Sequence, residues 1–588
     1  MKILFSVRNF WFVRFYDTVL RRLAENGHSI HILAEQDVDH ERAAEWNVNA
    51  ERLSKEFPKI TYGWVSQSPD PWIDFAKYLR LSLDYLWFLS PIHDDAQILR
   101  RRAAERTPES FVRFLEIPVI GTAAGRTILA SVLRFLELAV PVDQILLSLI
   151  SEHRPDVTIF TPLITKGSGQ FDLLRASQCF GSPTILAVGS WDHLSSKAMI
   201  RTAPDHVLVW NETQRKEAVE LHGIESGRIL VTGAQCFDKW FAQRPSKSEE
   251  AFKEIVGLRR DRGFILYACS ALFDGSPRES EFVLKWLRAI RGSKHERVRN
   301  IGVLIRPHPK RGFEWDNVDF NDLENVVLWP RKTSALDEPI SQSEYFDSMC
   351  FAKIVIGLNT SSLLEAGIIG RSVHTILLPE FRDNQEGTIH FRYLLDGGLL
   401  EFGRTLDEHI DRLDESLRAG GLSIRAKAFI EKFVRPRGVQ QEATSLVVEA
   451  VESIGGKGRI SPKVARWWYR IFRPALYPFA VRLSGTLLER RAVLRKHRRK
   501  QKQIQRERER SQKHAEKIRR LGKKREDRDE RLRTLKLRKE EIKSSQRSFK
   551  LDVKARKIAA WRASKRKAHF RQRLTSIWRR VFGGRDCA

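Results

Sequence analysis

The chain has 588 residues, 42% hydrophobic and 30% charged, with a formal net charge of +30. That length exceeds one compact core and asks for roughly three or four domain-sized units; the ordinary hydrophobic content excludes wholesale disorder. The charge is localised. Lys457–Ala588 holds 46 Lys and Arg against 12 Asp and Glu, or +34, leaving 57 basic and 61 acidic residues for 1–456, or −4. The body therefore needs no polyanionic partner. Cys179, Cys236, Cys269, Cys350 and Cys587 include no CxxC pair and no zinc spacing, so a disulfide framework is not expected and the cytoplasm is the expected compartment. The apolar run of Met1–Ser6 is too short for a signal peptide. The most apolar window, Leu129–Ile150, is broken by Arg134, Glu137, Pro141 and Asp143, so no membrane-spanning helix is expected.

Residues 2–6 read as a buried strand. A helix over about 14–26 follows, with Phe15, Val19, Leu20 and Leu23 on one face and Gly27 at its left-handed end; Ser29–Ala34 is the next strand. This order opens a parallel α/β unit. Residues 73–155 read as a long, mainly helical insertion. Strands resume at 156–160, 183–188, 206–210 and 228–231. A polar stretch near 243–250 reads as a linker, and a second α/β series follows, with strands at 264–268, 302–305, 326–328, 354–357 and 373–377. Ligands of such sheets bind beyond the carboxyl ends of the strands, so two units facing a cleft can both aim loops into it. The expected division is 1–240, 241–455 and a tail from 456 to 588. The loop after the first strand, Ser6-Val7-Arg8-Asn9, has no glycine-rich phosphate fingerprint, which argues against a dinucleotide dehydrogenase.

Three segments carry chemistry. In Ile354–Ala366 a buried strand runs into Thr360, Ser361 and Ser362 and then a helix with Glu365 about one turn inside. Hydroxyls and exposed amides at a helix start suit a phosphate; a carboxylate one turn on can accept from ribose hydroxyls. The plain alternative is ordinary helix capping. In Leu304–Pro309 a strand ends directly in Arg306 and His308, stiffened by Pro307 and Pro309. An Arg and a His so placed can neutralise a diphosphate leaving group, or can simply bond local carbonyls. In Gly189–Lys197, His193 or Asp192 can take an acceptor's proton and Lys197 can hold an anion; the alternative is a structural loop with a capping Asp. Gln385 and His390, in the polar loop 385–391, are placed near the cleft as donor-binding candidates. No Asp-x-Asp motif stands at a suitable loop, so neither metal nor cofactor is expected; a nucleotide-activated donor is a substrate.

The order of these segments resembles GT-B glycosyltransferases over about residues 1–450. The Ser/Thr run, Glu365-Ala366 and Gly370-Arg371-Ser372-Val373 resemble the donor-site signature of that group and of sugar-nucleotide 2-epimerases, with Ser372 where a Pro is usual. Arg306-Pro307-His308-Pro309 and the Trp191-Asp192-His193 loop look like those of teichoic-acid glycerophosphotransferases and surface-polysaccharide enzymes. The resemblance implies two Rossmann-like domains, phosphate contacts from Ser361 and Ser362, a ribose contact from Glu365 and a base at His193. It implies a glycosyltransferase moving a sugar from a nucleotide-sugar donor to a surface polysaccharide or lipid-linked acceptor. The alternatives are a glycerophosphotransferase of the same fold, an epimerase, and a non-catalytic polyanion-binding scaffold.

In the tail, Val464, Trp467, Trp468, Ile471 and Phe472 fall at amphipathic helical spacing among Lys463, Arg466, Arg470 and Arg473. That composition suits an interfacial anchor or a helix docked on the body. Residues 490–567 have too few apolar positions for a heptad seam and read as exposed helix or disorder. Such a polycation binds anionic lipid, with nucleic acid as the alternative partner. The expected location is peripheral, at the inner face of a membrane.

Overall fold

Short aliphatic runs form parallel strands buried on both faces, as strands do when helices cover both sides of a sheet. The computed structural model describes residues 1–35, 40–65, 70–320, 322–331, 339–464, 466–485, 528 and 532–577. The chain divides into two units, Met1–Leu487 and Leu488–Ala588. In the first unit, β1 (Lys2–Val7), β2 (Ser29–Ala34), β3 (Ile60–Trp64), β4 (Val157–Thr161), β5 (Thr184–Ala187), β6 (His206–Val209) and β7 (Ile229–Val231) make a parallel sheet in the order 3-2-1-4-5-6-7. A second parallel sheet contains β8 (Phe264–Ala268), β9 (Gly302–Arg306), β10 (Val326–Leu328), β11 (Ile354–Ile356), β12 (Ser372–Ile376) and β13 (Leu400–Gly403), in the order 10-9-8-11-12-13. The fold is thus two Rossmann-like α/β domains, the GT-B arrangement.

Alternation within each strand divides the core. Ile3, Phe5 and Val7 pack with Val19, Leu20 and Leu23 on one face of the first sheet. Leu4 joins Phe160, Leu186, Phe171 and Leu174 on the other. Burying each such side chain contributes about 1.5–3 kcal/mol. The helix expected over 14–26 begins as a 3-10 turn, Phe10–Phe15, and continues as Asp17–Glu25; Gly27 then takes φ +88°. The edge strands β3 and β13 were not foreseen. In β3 only Ile60 is buried, so its sequence, ITYGW, lacks the apolar run that marks an inner strand.

The linear division at 240 and 455 misses a crossover. The helix Ala443–Gly456 follows the second domain in sequence but packs on the first sheet, with Val447, Val448, Val451 and Ile454 in the core of β1. Its entry is fastened by Asp238, whose carboxylate accepts from Arg435 at 2.7 Å and from the backbone amides of Ala443 (3.2 Å) and Thr444 (2.6 Å). Gly233 makes the close approach possible. Its φ is +85°, and a Cβ there would lie 2.9 Å from that of Ala443.

The insertion is built of helices, among them Trp72–Phe88, Gln97–Arg106, Glu109–Phe114, Pro118–Gly121, Ala123–Ala139 and Gln144–His153. Arg80, 1% exposed, ties it to the first domain. Its guanidinium donates to both carboxylate oxygens of Asp172 (2.7 and 2.6 Å), to Glu137 (2.8 Å) and to the carbonyl of Ser168 (3.0 Å).

The single amphipathic helix expected over 464–472 is instead a 3-10 turn, Trp467–Phe472, followed by a helix, Arg473–Leu483. Pro474 sits in the first turn of the new helix, where its missing N–H costs nothing, so the chain restarts there. Both pieces dock on the insertion. Most of 490–531 lies outside the described residues; 532–577 is an exposed helix. Cys179, Cys236, Cys269 and Cys350 are free thiols, and Cys587 lies outside the described residues. Among the described residues no helix is long and apolar enough to cross a membrane.

Candidate active site

Strand order reverses between β8 and β11, so the loops leaving their carboxyl ends diverge and open a crevice. The Asn359–Ser362 loop stands there. The amide of Asn359 donates to Ser270 Oγ at 3.0 Å, and its side-chain nitrogen donates to the carbonyl of Asn384, which ties together the loops after β8, β11 and β12. Ser361 is exposed, while Thr360 Oγ1 and Ser362 Oγ lie 3.1 Å apart. Tyr345, from the helix Pro339–Phe351, holds its hydroxyl 2.6 Å from Ser362 Oγ and donates to Glu365 Oε2 at 2.6 Å. Burial raises the Glu365 carboxyl; Tyr345, Lys239 and Arg14 oppose the rise. Burial and then Glu365 hold the Tyr345 phenol well above its ordinary range, so it stays a donor.

Arg306 ends β9 and is 5% exposed. Its guanidinium lies 5.2 Å from the centre of the Tyr345 ring, and Nη1 has no hydrogen-bond partner among the described residues. Burial lowers its pKa, yet a guanidinium remains charged at any working pH. Such a desolvated cation, stacked on Tyr345, has a donor to offer an anion. His308 does something else. Its Nδ1 accepts from the amide of Lys310 at 3.2 Å, and burial, with Lys310 and Arg311, holds it to about 4. It caps its own turn. Gln385 is fully buried, its amide nitrogen donating to Leu358 O (3.1 Å), Thr375 Oγ1 (3.0 Å) and Ile376 O (3.0 Å). It braces β11 against β12, and these bonds leave that nitrogen nothing for a donor.

A second constellation gathers on the loop after β5. Asp192 accepts from Ser190 Oγ at 2.6 Å and from Ser196 Oγ at 3.2 Å, and pairs with Lys197 at 2.5 Å. Burial alone would raise its carboxyl; Lys197, His390 and His193 outweigh that and hold it well below the carboxylate range. His193 is buried and its Nδ1 has no partner. Burial lowers it to about 4, against the pull of Asp192. The imidazole is therefore neutral at pH 7 and has a lone pair to offer, whereas Asp192 is already committed. From the second domain, the ring of His390, on the helix Ile389–Asp396, meets Trp191 edge-on, with centroids 4.8 Å apart. Burial holds His390 also to about 4. Asp192, His193, Lys197 and His390 thus come together, and His390 stands with this cluster rather than with the hydroxyls around Glu365.

Three further buried groups near these residues have no signal in the sequence. Tyr345 lies in a helix with no motif of its own. Glu217, on the helix Glu212–Glu220, is 3% exposed, and both carboxyl oxygens lack a partner within hydrogen-bond geometry. Burial raises it to about 8, with the hydroxyls of Tyr393 and Ser195 pulling the other way and Asp192 adding to the rise. Lys166, after β4, rests 4.4 Å from the centre of the Phe88 ring and is lowered by burial, Arg106 and Arg102 to about 7. No local pattern marks any of the three, because each becomes unusual only through burial.

Neither protein-family models nor curated proteins give a match to the chain. Among solved structures it is similar to UDP-GlcNAc 2-epimerase from Neisseria meningitidis bound to UDP-GlcNAc, at 11% identity and a TM-score of 0.44, covering 77% of this chain and 100% of that one. It is also similar to a glycosyltransferase from Rickettsia africae (11% identity, TM-score 0.43, 77% and 98% covered). A third is WaaG, a glycosyltransferase involved in lipopolysaccharide biosynthesis (12% identity, TM-score 0.39, 77% and 100% covered). At such identities the reaction of a neighbour is not transferable.

Proposed function

We propose that the two-domain body is a glycosyltransferase that takes a sugar from a nucleotide-sugar donor to a surface-polysaccharide or lipid-linked acceptor. One observation carries the reading: the buried, incompletely bonded Arg306 guanidinium over the ring of Tyr345, whose hydroxyl in turn meets Ser362 and Glu365, near the strand-order reversal of the second sheet. Arg306 stabilises the charge that develops on the diphosphate as the glycosidic bond breaks. Thr360, Ser361 and Ser362 bind phosphate oxygens, and Glu365, oriented by Tyr345, accepts from ribose. His193 takes the acceptor's proton, while ionised Asp192 stabilises the imidazolium that forms and Lys197 positions Asp192. The tail from Lys457 holds the enzyme at the inner face of an anionic membrane.

The test is a thermal-shift screen of the purified chain against uridine, cytidine, guanosine and thymidine nucleotides, their sugar esters and a glycerol ester. Stabilisation by a nucleotide sugar that disappears in Arg306→Gln supports the reading. No stabilisation by any nucleotide would point to the scaffold alternative. Preference for the glycerol ester would make it a glycerophosphotransferase, and conversion of donor to an epimer without acceptor would make it an epimerase.

A further inference from the structure

Two stretches more than 300 residues apart build one surface. Phe135, on the helix Ala123–Ala139, packs its ring against Trp468 (5.7 Å), Tyr469 (5.4 Å) and Phe472 (5.0 Å). Arg473 Nε donates to the carbonyl of Ala139 at 2.9 Å, and Trp72 meets Tyr477 at 6.0 Å. Ala480 is fully buried by this docking. The contacts use the inner side of 467–483 and leave its outer side bare: Trp467 is 72% exposed, Ile471 62% and Phe479 61%. On the insertion, Ile128 and Val132 precede Phe135 on one helical stripe, at i, i+4 and i+7, and are 66% and 47% exposed. The adjoining turn Pro118–Gly121 presents Val119 at 77%. Soluble proteins seldom leave apolar side chains clustered so openly without a partner. The sequence Arg466–Gly485 also contains four arginines and no Asp or Glu.

We infer that this composite face, Val119, Ile128 and Val132 of the insertion with Trp467, Ile471 and Phe479 of the docked segment, is a docking surface for an anionic lipid bilayer. Apolar and tryptophan side chains interleaved with arginines are the composition that enters a headgroup layer. The charge selects the occupant. A second copy related by two-fold symmetry would set this acid-free arginine segment near its own image, whereas anionic headgroups neutralise it. The inference deepens the membrane reading above and rests on it, but it assigns the apolar contact to the folded insertion rather than to the polycationic tail.

The experiment is co-sedimentation of the full chain with vesicles of phosphatidylcholine alone, or of three parts phosphatidylcholine to one part phosphatidylglycerol, at high salt so that the tail's long-range attraction is screened. The parent should bind the mixed vesicles better than the neutral ones. Ile128→Asp/Val132→Asp and Trp467→Asp/Ile471→Asp should each lower the partition coefficient about tenfold or more, since each removes two apolar side chains from the membrane. All six residues are exposed, so unfolding temperature and nucleotide-induced stabilisation should not move, which separates failure here from failure of the donor reading. Hydrogen exchange on the unmodified chain guards against misfolded variants. Vesicles should protect 117–132 and 466–481. Protection confined to residues beyond 488, or parental partition in both variants, would overturn the inference. So would a parental dimer that the substitutions dissociate without changing vesicle binding.

Discussion

Trp191 and His390, both buried, meet between the two domains with ring centroids 4.8 Å apart and planes at 88°. One ring belongs to the loop after β5 of the first domain and the other to the helix Ile389–Asp396, which follows β12 of the second. The contact brings an imidazole from the second domain into the field of Asp192 and Lys197, so this cluster is complete only when both domains are in place.

That arrangement sets the first prediction. His193→Ala should lower turnover about 10²–10⁴-fold, the usual share of a general base, and leave nucleotide affinity intact. Asp192→Asn should cost less, because Asp192 orients and stabilises rather than accepts. His193 is lowered to about 4, so the unprotonated base persists down to that value and is lost only as pH falls through it. Steady-state rates against pH for parent and variants are the measurement; parental turnover in both would remove this loop from the mechanism.

The donor pocket sets the second. Glu365→Ala should weaken nucleotide binding by about 1.5–3 kcal/mol, the range for a hydrogen bond to a charged group. Tyr345→Phe should weaken it less, through loss of the orienting donor held at 2.6 Å. Calorimetric titration reads both. Unchanged affinity in Glu365→Ala means that the ribose contact does not exist.

Arg306 combines a cost with a use. Its buried guanidinium is not fully bonded, and replacing an incompletely compensated charge by an apolar side chain is often stabilising. Arg306→Met should therefore raise or maintain the unfolding temperature without ligand while abolishing stabilisation by a nucleotide diphosphate. A large drop in unfolding temperature would show instead that Arg306 is structural.

Glu217 makes stability depend on pH. Its folded-state pKa, about 8, lies above the ordinary value of 4.5. The native state therefore holds the proton more tightly, so this contribution is fully present below about 4.5 and is lost as pH rises through about 8. Glu217→Gln keeps a neutral side chain there and should flatten the decline of unfolding temperature between pH 5 and 9. Parallel curves for parent and variant would show that Glu217 is ionised like an exposed glutamate.

Arg80 tests the insertion. Removing it leaves Asp172 and Glu137 mostly buried without their cation, and breaking such a pair typically costs about 3–5 kcal/mol. Arg80→Met should lower stability in denaturant titration by that order. A change below about 1 kcal/mol would mean that the insertion is held by its apolar contacts alone.

Much of the architecture was legible in the residues. Apolar runs such as Ile354–Ile356 and Phe264–Ala268 form strands because only buried parallel strands need side chains that are apolar on both faces. The residues at their carboxyl ends, Thr360–Ser362 and Arg306, stood out for the same reason: polar groups following an apolar run at once must lie at a sheet's edge. The charge of the tail was a matter of counting. Local sequence could not say which surface an amphipathic segment covers. Val447 and Val451 suit either sheet, and only the tertiary fold sends them back to β1. Likewise, Trp468 and Trp467 are adjacent and chemically alike, yet one packs on Phe135 and the other stays in solvent. The unusual groups were also decided in three dimensions. Glu217, Tyr345 and Lys166 are ordinary residues whose proton affinities change through burial and through neighbours far away in sequence. Periodicity and composition are short-range properties of the chain, and they determined its strands, loops and charge. Desolvation and the pairing of distant groups depend on where the chain returns to itself, and only the tertiary structure decided those.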